Sequence, residues 1–520
     1  MKALGYTYLN EHYSLLLPKL NVEVYQDSNS DKEKIVTYGA SKRKIIPGTR
    51  KISDTPFDHM IEAIKYQGIR LHYFAAIFPK VDVAELSIFI SQKPNAKYNR
   101  IIWYLYEWIM DSTIDLPDLN QGNYIKLFED EFYYTLKDGD KNKRTRVINN
   151  AIGTREFCPT VRKTSKIKKC ENVDVYKTAY AEMQRIGESV STDIIGRSIN
   201  YLYTKETKSS TDIERETPDK HKMQRFLRAI KNAGLFELTK SKLIDLQNKI
   251  VEDSKKASDY RSDEIYVGAT LQRFGEVYED VHYIGALAKH VPSLMNGLIK
   301  THERMMFDAS VSALIHATVI SFGAVYIHPM DDGNGRIHRY LIHDVMKQRE
   351  PEHKFIIPIS ASILKHEAEY DKVLEVISIP IMAMIDWELD GENQNKLIVN
   401  NDIDYMYRYP DYTEHVSFVY EMMDKAISTE LIEEVSLLIV FDNIKKIINN
   451  LTDVPNNKLD AITSIIISGA GKVSKTKLQF VCSHIDQKLI KQIEKQSIQI
   501  MSKIENDLSV NIQKIMRKTK

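Results

Sequence analysis

Residues 328–339, which read His-Pro-Met-Asp-Asp-Gly-Asn-Gly-Arg-Ile-His-Arg, bring together the groups in this chain that are best suited to chemistry. His328 can accept a proton near neutral pH. Asp332 offers the hard oxygen ligand that Mg²⁺ shares with substrate phosphates. Gly333 and Gly335 permit a tight turn whose exposed N–H groups can bind anions. These residue types at this spacing indicate the transfer of part of a nucleotide.

Two arginines extend the set into a following helix. Arg336 and Arg339 are three positions apart, so they share one helix face. Their forked donors match phosphate oxygens, and the start of a helix also attracts anions. A lone histidine or a lone Gly-Asn-Gly turn is most often structural. The complete set at fixed spacing is much more specific, and it favours a phosphate site.

The composition places limits on the class of protein. The chain has 520 residues, enough for more than one domain, and its 43% hydrophobic and 28% charged residues are ordinary for a soluble protein. A formal net charge of +1 predicts neither a nucleic-acid partner nor an acidic membrane. The three cysteines form no CxxC pair, so we expect no disulfide framework and no zinc site.

The sequence also indicates the cellular compartment in which we expect the protein. The first ten residues lack the apolar segment of a signal peptide. The most apolar stretch, 309–327, is interrupted by serines, a threonine and a histidine, which favours a buried helix over a membrane span. With so few cysteines, the reducing cytoplasm is the compartment we expect.

Glycine and proline are scarce and helix formers dominate, so the sequence predicts an all-α, mainly helical fold. We divide it into an N-terminal helical domain (1–175), a middle domain with the signature (176–395) and a C-terminal domain (396–520). The last domain is predicted to be helical. Its pattern fits a plain helical module and a winged-helix-like one equally well.

Within the middle domain, the predicted elements surround the signature. Helices are expected at 309–327 and 336–349, directly before and after it. Two short β-like runs, at 265–268 and 281–284, are separated by a polar stretch and predict a hairpin.

The signature resembles that of the Fic (filamentation induced by cyclic AMP) family, written H-x-F-x-[DE]-[GA]-N-[GK]-R-x-x-R. Met330 stands where the family prefers Phe, and Met fills such an apolar position well. Four flanking strings resemble a long bacterial Fic subgroup; they lie at 71–76, 116–124, 157–159 and 407–412.

The resemblance implies a helical core with the signature loop between two helices. It also implies the family's usual activity, the transfer of AMP from ATP to a Ser, Thr or Tyr hydroxyl of a target protein. His328 would deprotonate that hydroxyl, and Asp332 would bind Mg²⁺ between the α- and β-phosphates. Arg336 would neutralise charge on the leaving side. The α- and β-phosphates would be held by Gly333, Asn334 and Gly335.

The predicted hairpin resembles the flap of the family, which pairs with an extended segment of the target by strand addition. Its residues would be Tyr266, Val267 and Gly268. A plain surface turn is the alternative interpretation of this hairpin.

A second family feature is an inhibitory helix with the pattern [ST]-x-x-x-E-[GN]. Ser210 and Glu214 fit it within a helix predicted near 205–217, where the two would share one face. Arg215 departs from the Gly or Asn of the pattern. By resemblance, the Glu214 carboxylate would pair with Arg339, occupy the place of the γ-phosphate and hold ATP in an unproductive pose.

The leading hypothesis is therefore a protein adenylyltransferase, inhibited by Glu214, with ATP and Mg²⁺ as its donor and metal. The target is an unidentified protein, which includes the chain itself, and a homodimer would be typical of the family. Three alternatives remain: removal of AMP from modified targets, transfer from another nucleotide or phosphorylated donor, and a nucleotide-sensing regulator that binds DNA through its basic C-terminal segment.

Overall fold

The structure is a computed structural model of the chain. It describes all residues except 16, 19, 39–40, 188–192, 217–219, 236, 274–275, 354, 392–395, 475–484, 509 and 519–520. The predicted mainly helical fold is confirmed.

The described helices, in chain order, are α1 (Gly5–Tyr13), α2 (Pro56–Gln67), α3 (Leu71–Ile77), α4 (Val83–Gln92), α5 (Lys97–Met110), α6 (Ser165–Cys170), α7 (Val175–Gly187), α8 (Asp193–Asp212), α9 (Lys220–Lys231), α10 (Lys240–Ile250), α11 (Val291–Met306), α12 (Ala313–Ile327), α13 (Asn334–Arg349), α14 (Ile359–Lys365), α15 (Glu367–Met384), α16 (Asp404–Arg408), α17 (Thr413–Lys425), α18 (Ile432–Leu451), α19 (Asn456–Ser468), α20 (Gln487–Leu508) and α21 (Ile512–Lys518). The described strands are β1 (Lys2–Leu4), β2 (Val22–Asp27), β3 (Lys34–Tyr38), β4 (Ser41–Pro47), β5 (Ile125–Lys126), β6 (Asp140–Asn142), β7 (Val147–Asn149), β8 (Tyr266–Arg273), β9 (Glu276–Ile284), β10 (Trp387–Asp390) and β11 (Lys396–Val399).

The chain forms two compact units, each assembled from separate segments. The first unit comprises Met1–Glu171, Ala233–Glu350 and Ala368–Phe418, and the second comprises Asn172–Asn232, Pro351–Glu367 and Val419–Lys520. Compact units in space need not coincide with domains along the chain, so the predicted boundaries at 175 and 395 stay predictions.

The first unit begins with a sheet that the sequence did not predict. Its strand order is β1-β2-β4-β3, with β2 and β4 parallel and the other pairs antiparallel. Leu4, Val24 and Ile46 are fully buried and form a small core under it. Three of these strands are six residues or shorter and carry many charged side chains, so no apolar alternation was long enough to distinguish them from loops.

The middle part of the first unit contains the signature. Helices α12 and α13 pack directly on each other, and α11 packs on α12. The predicted hairpin is confirmed: β8 and β9 are antiparallel, Tyr266 lies opposite Ile284, and a bulge falls between Val267 and Gly268. No helix within the described ranges is both long and apolar enough to cross a membrane.

The second unit contains α8, where the inhibitory helix was predicted. Glu206 on this helix is fully buried and accepts a hydrogen bond from the Ser360 backbone N–H at 2.9 Å, which holds α8 against α14. Lys205 forms an ion pair with Glu434 of α18 at 2.5 Å. Helix α8 is thus anchored on two sides within its own unit.

Glu214 is placed differently from the prediction. Helix α8 ends at Asp212, and Arg215 adopts a left-handed conformation with φ of 54° while its N–H bonds to the Asp212 carbonyl at 2.9 Å. Glu214 therefore lies in an exposed turn beyond the helix, whereas Ser210 is buried within it. The predicted helix near 205–217 therefore ends earlier, at Asp212, and the predicted inhibitory role of Ser210 and Glu214 stays a prediction.

A buried carboxylate joins α10 to α13. Asp344 is fully buried, and its oxygens accept hydrogen bonds from Lys242 Nζ, the Gly234 N–H, Gln348 Nε2 (each 2.8 Å) and the Tyr340 hydroxyl (3.0 Å). A buried ion pair with its remaining acceptors satisfied is costly to break from one side. This cluster fixes the helix that follows the signature.

We expect Asp344→Ala to lower the free energy of unfolding by about 3–5 kcal/mol, because Lys242 would lose its counter-charge inside the protein. The matched control is Asp245→Ala on α10, the helix that carries Lys242, because the exposed pair of Asp245 with Lys249 should contribute less than about 1 kcal/mol. Urea denaturation measures both changes. Equal losses in the two variants would contradict the role given to Asp344.

Candidate active site

Helix α12 delivers His328 to the site. The Ser312 hydroxyl caps its first turn by accepting the Ile315 N–H at 3.3 Å, and the helix is buried along nearly its whole length. It ends at His328, whose φ of 56° is left-handed and whose N–H bonds to the Ala324 carbonyl at 3.0 Å. The positive φ turns the chain sharply out of the helix, so the histidine stands at the corner between helix and loop.

The orientation of the His328 ring assigns its proton. Nδ1 lies 3.1 Å from the Val325 carbonyl oxygen, a position in which it donates a hydrogen bond. In the neutral imidazole, one nitrogen donates and the other carries the lone pair. Nε2 is therefore the basic nitrogen of this tautomer, as a general base requires.

The side chain of Asn334 closes the signature loop. Its Oδ1 accepts the Met330 N–H at 3.1 Å, and its Nδ2 donates to the Met330 carbonyl at 2.7 Å. Met330 is fully buried, consistent with the apolar anchor expected where the family prefers Phe. Asn334 thus uses its side chain to shape the loop. Its predicted contact with phosphate stays a prediction and would fall to its backbone N–H.

Gly333 and Gly335 bring the loop to the start of α13. Gly333 has φ of 90°, and a Cβ atom there would lie 3.1 Å from the Val251 Cγ1, so both conformation and space favour glycine. The first N–H groups of α13 have no partners within the helix and form an anion-binding end. The 16-residue helix α13 adds its dipole to this effect.

Asp332 lies between two cations. Its carboxylate is 2.8 Å from Lys255 Nζ and 3.4 Å from Arg336 Nη2. Burial acts to raise the pKa of Asp332, but the hydrogen bond and charge of Lys255, with the charge of Arg336, lower it below its usual value. The group is ionised at neutral pH, as a metal ligand must be.

The residues around Asp332 fit a magnesium ion that arrives with nucleotide. Across the described part of the chain, no cluster of three His, Cys, Asp or Glu side chains could hold a metal without substrate. Magnesium commonly binds through one or two carboxylates, water and substrate phosphates. A single, partly exposed carboxylate beside an anion-binding helix start is suited to that mode. Lys255 would have to release the carboxylate oxygen that the ion takes.

The two signature arginines are buried. Arg336 and Arg339 are each 1% exposed, and Arg336 also donates from Nη1 to the Ile250 carbonyl at 3.2 Å. Arg336 is therefore held in place by α10 before any phosphate arrives.

The hairpin lies directly beside the catalytic loop. The Tyr283 hydroxyl of β9 donates to the Tyr326 carbonyl at 2.5 Å, and the Ala286 N–H bonds to the Ile327 carbonyl at 3.3 Å. Tyr266, Val267 and Gly268 lie on β8, and the Val267 side chain is 43% exposed. Among the described strands, β8 pairs only with β9, so its other edge offers backbone groups to a further strand.

Two positioning residues escaped the sequence analysis. Gln247 of α10 donates to the carbonyls of Lys255 (2.9 Å) and Asp332 (3.3 Å), which joins the Lys255 segment to the loop. It lies on the apolar stripe with Leu243 and Ile250, so a polar residue at that spacing was a usable signal. Arg261 binds the loop through backbone carbonyls, and no periodicity marks it in the sequence.

The inhibitory pair lies on the second unit, Ser210 near the end of α8 and Glu214 in the turn after it. The structure thus brings together the residues predicted for the base, the metal, the phosphates and the hairpin. It leaves the predicted pairing of Glu214 with Arg339 as a prediction.

Comparison with known proteins supports the identity of this core. Residues 237–346 match the model of the Fic/DOC family. Domains of this family typically transfer a nucleoside monophosphate to proteins.

Two solved structures are similar. One is a Fic-domain-containing signaling protein from Bacteroides thetaiotaomicron VPI-5482, at 17% identity and a TM-score of 0.32, covering 49% of this chain and 96% of that one. The other is a Fic family protein from Desulfovibrio desulfuricans G20, at 15% identity and a TM-score of 0.32, covering 60% of this chain and 84% of that one. No curated protein matches.

We predict that Asn334→Ala opens the signature loop, because it leaves the buried Met330 N–H and carbonyl without their partner. Each such group costs about 1–3 kcal/mol when left unsatisfied. Urea denaturation should show that loss, and calorimetry should show weaker ATP binding. Asp331→Ala, an exposed change in the same loop, is the control and should alter stability by less than about 0.5 kcal/mol. Equal stability and equal ATP binding in both variants would contradict the loop-closing role.

Proposed function

We propose that this chain is a protein adenylyltransferase, which transfers AMP from ATP to a Ser, Thr or Tyr hydroxyl of a target protein. One observation carries the proposal: the Nδ1 of His328 donates to the Val325 carbonyl, which leaves Nε2 basic next to a loop suited to phosphates. The match of residues 237–346 to the Fic/DOC family supports the same reaction class.

In the proposed reaction, His328 Nε2 takes the proton of the target hydroxyl. The oxygen attacks the α-phosphorus as the bond to the bridging oxygen of pyrophosphate breaks. The products are an AMP ester of the target and pyrophosphate, so the reaction needs no further reactant. The protein contributes mainly positioning and charge stabilisation, as is usual for transfer at phosphorus.

The rest of the loop is assigned to the phosphates. The backbone N–H groups of Gly333, Asn334 and Gly335, at the start of α13, would hold the α- and β-phosphates. Arg336, already fixed by the Ile250 carbonyl, would face the leaving pyrophosphate. Arg339 would bind the γ-phosphate. Asp332 would hold Mg²⁺, which when bound neutralises phosphate charge.

The outer edge of β8 is the place where we expect the target to bind. A target segment in extended conformation would add a strand beside Tyr266, Val267 and Gly268 through main-chain hydrogen bonds. Because the hairpin is bonded to the end of α12, such a strand would run close to His328. This mode depends on backbone groups, so it tolerates different side chains around the modified hydroxyl.

We also propose that Glu214 inhibits the reaction. Its support is the Ser-x-x-x-Glu pattern together with the conformation of the next residue. The pattern asks for Gly or Asn after the glutamate, and Arg215, which replaces them, adopts the left-handed conformation that Gly and Asn favour. The backbone conformation of Arg215 is therefore the one that the pattern requires, although its side chain is not the Gly or Asn of the pattern. The pairing partner we propose is Arg339.

The proposed role of His328 as the general base can be tested by substitution. His328→Ala should lower AMP incorporation by about 10²- to 10⁴-fold, since a general base contributes this much, while ATP affinity stays close to that of wild type. Incorporation is measured with α-labelled ATP and affinity by calorimetry. The control is His12→Ala, an exposed histidine in the N-terminal sheet region. Undiminished transfer by His328→Ala would remove His328 from the mechanism.

The proposed inhibition by Glu214 can also be tested by substitution. Glu214→Gly and Glu214→Gln should both raise AMP incorporation into the chain or a target, because each removes the carboxylate that competes with the γ-phosphate. Arg215→Gly is the matched control: it relaxes the same turn but keeps the carboxylate, so activity should stay low. The double variant Glu214→Gly with His328→Ala should be inactive. If wild type and both Glu214 variants incorporate AMP equally, Glu214 has no inhibitory role, and activation by Arg215→Gly would assign the effect to the turn.

A further inference from the structure

Arg261 connects the hairpin to the signature loop through hydrogen bonds to backbone carbonyls. Its Nε donates to the His328 carbonyl at 2.6 Å and its Nη1 to the Asp263 carbonyl at 2.7 Å. Its Nη2 donates to the carbonyls of Ala286 and, at 3.4 Å, Ile327. The Arg261 backbone N–H adds a bond to the Pro329 carbonyl at 3.0 Å.

These acceptors belong to three parts of the site. Asp263 lies at the entry to the hairpin and Ala286 at its exit. Ile327 and His328 lie at the end of α12. The parts meet closely: a Cβ atom at Gly285 would lie 3.0 Å from both the His328 Cβ and Arg261 Nη2. One side chain therefore fixes the spacing between the proposed strand-binding edge and the base.

The Arg261 guanidinium is also a buried positive charge at the C-terminal end of α12. The Arg261 side chain is fully buried, and the carboxylate of Glu264 lies 3.8 Å away. Glu264 is shared, since it also accepts the Ala288 N–H at 3.0 Å. Burial lowers the pKa of Arg261 and Glu264 acts against this, but an arginine keeps its charge at neutral pH.

A positive charge near His328 favours the neutral form of its imidazole, which a general base requires. The last carbonyls of a helix carry partial negative charge, which stabilises a protonated histidine at that end. A protonated His328 could not act as a base. Arg261 binds two of the carbonyls concerned, those of Ile327 and His328, so its positive charge opposes the helix dipole at the histidine.

The other ionisable groups of the surrounding elements do not replace Arg261. The phenols of Tyr283, Tyr326 and Tyr407 are neutral, because burial raises the pKa of each. Charged groups on these elements include Asp263 and Glu264 before the hairpin, Asp331 and Asp332 in the loop, Lys255 beside Asp332, and Arg336 and Arg339 on α13. Arg261 is the cation bonded to the carbonyl of His328 itself.

We propose that Arg261 is a positioning residue that locks the base of the hairpin to the catalytic loop and keeps His328 in its neutral, proton-accepting form. The inference deepens the proposed function and rests on it for the meaning of a neutral His328. The interaction itself is a property of the protein without substrate, and it can be tested without any transfer reaction.

The test is an NMR titration of the histidine Cε1–H signals of the purified chain, with His328 assigned from His328→Gln. Arg261→Gln should raise the pKa of His328 by about one unit, because the opposing charge is lost. Arg261→Lys, which keeps the charge, should leave it near the wild-type value. Tyr407→Phe is the structural control: it removes the 2.8 Å bond from Tyr407 to the Ile284 carbonyl at the hairpin base but changes no charge, so the titration should not move.

A second variant covers the case in which Arg261→Gln does not fold. Glu264→Gln keeps all the carbonyl bonds of Arg261 and removes the nearest negative charge, so the pKa of His328 should fall. The proposal is overturned if Glu264→Gln leaves the His328 titration unchanged, or if a folded Arg261→Gln does so. If the titrations shift as expected but no variant ever transfers AMP, the proposed function fails and the assignment of Arg261 stands.

Discussion

The carbonyl groups at the end of α12 lie inside the protein, and they need hydrogen-bond donors that the helix cannot provide. Arg261 supplies donors to the carbonyls of Ile327 and His328, and the Ala286 N–H supplies another to Ile327. The same donors belong to the base of the hairpin. The need to satisfy these carbonyls therefore determines where the hairpin lies relative to the histidine, and the remaining geometry of the site follows from it.

On the other side of the loop, the constraint comes from α10. Gln247 binds the Asp332 carbonyl, Arg336 is bonded to the Ile250 carbonyl, and Asp344 accepts the Lys242 ammonium further along α13. The loop between α12 and α13 is thus held from the hairpin side and from the α10 side. Such preorganisation suits a reaction in which positioning and fixed charges do most of the catalytic work. Asp332 is paired with the exposed Lys255, so it is the part of the loop best able to change partners.

The sequence predicted the mainly helical fold class and the elements that surround the signature. The signature at 328–339 predicted a loop between two helices, and α12 and α13 flank it as expected. The roles assigned to its residues as base, metal ligand and phosphate ligands stay predictions. The hairpin was predicted from two short β-like runs and is confirmed, and the structure adds its register, in which Tyr266 lies opposite Ile284. The N-terminal sheet was missed, because short, charged strands show no clear alternation.

Three features of the structure have no clear signal in the sequence. Arg261 acts through carbonyls that lie far away in sequence, so only the folded chain reveals its partners. The side chain of Asn334 closes the loop around Met330, which its residue type did not predict, and its contact with phosphate stays a prediction. The end of α8 depends on a left-handed Arg215, a conformation that the residue type does not announce. Local pattern therefore predicts candidate reacting groups, while long-range hydrogen bonds decide how these side chains are held.

The most direct test of the central claim, nucleotide transfer at this loop, is the fate of the phosphates of ATP. The purified chain and its Glu214→Gly variant are incubated with Mg²⁺ and ATP labelled at either the α- or the γ-phosphate, alone and in a cell lysate. Mass spectrometry then identifies the modified residue. The account predicts covalent label from α-labelled ATP only, as an AMP ester on a hydroxyl side chain. Label from the γ-phosphate, or no covalent label from either position in the Glu214→Gly variant, would contradict it.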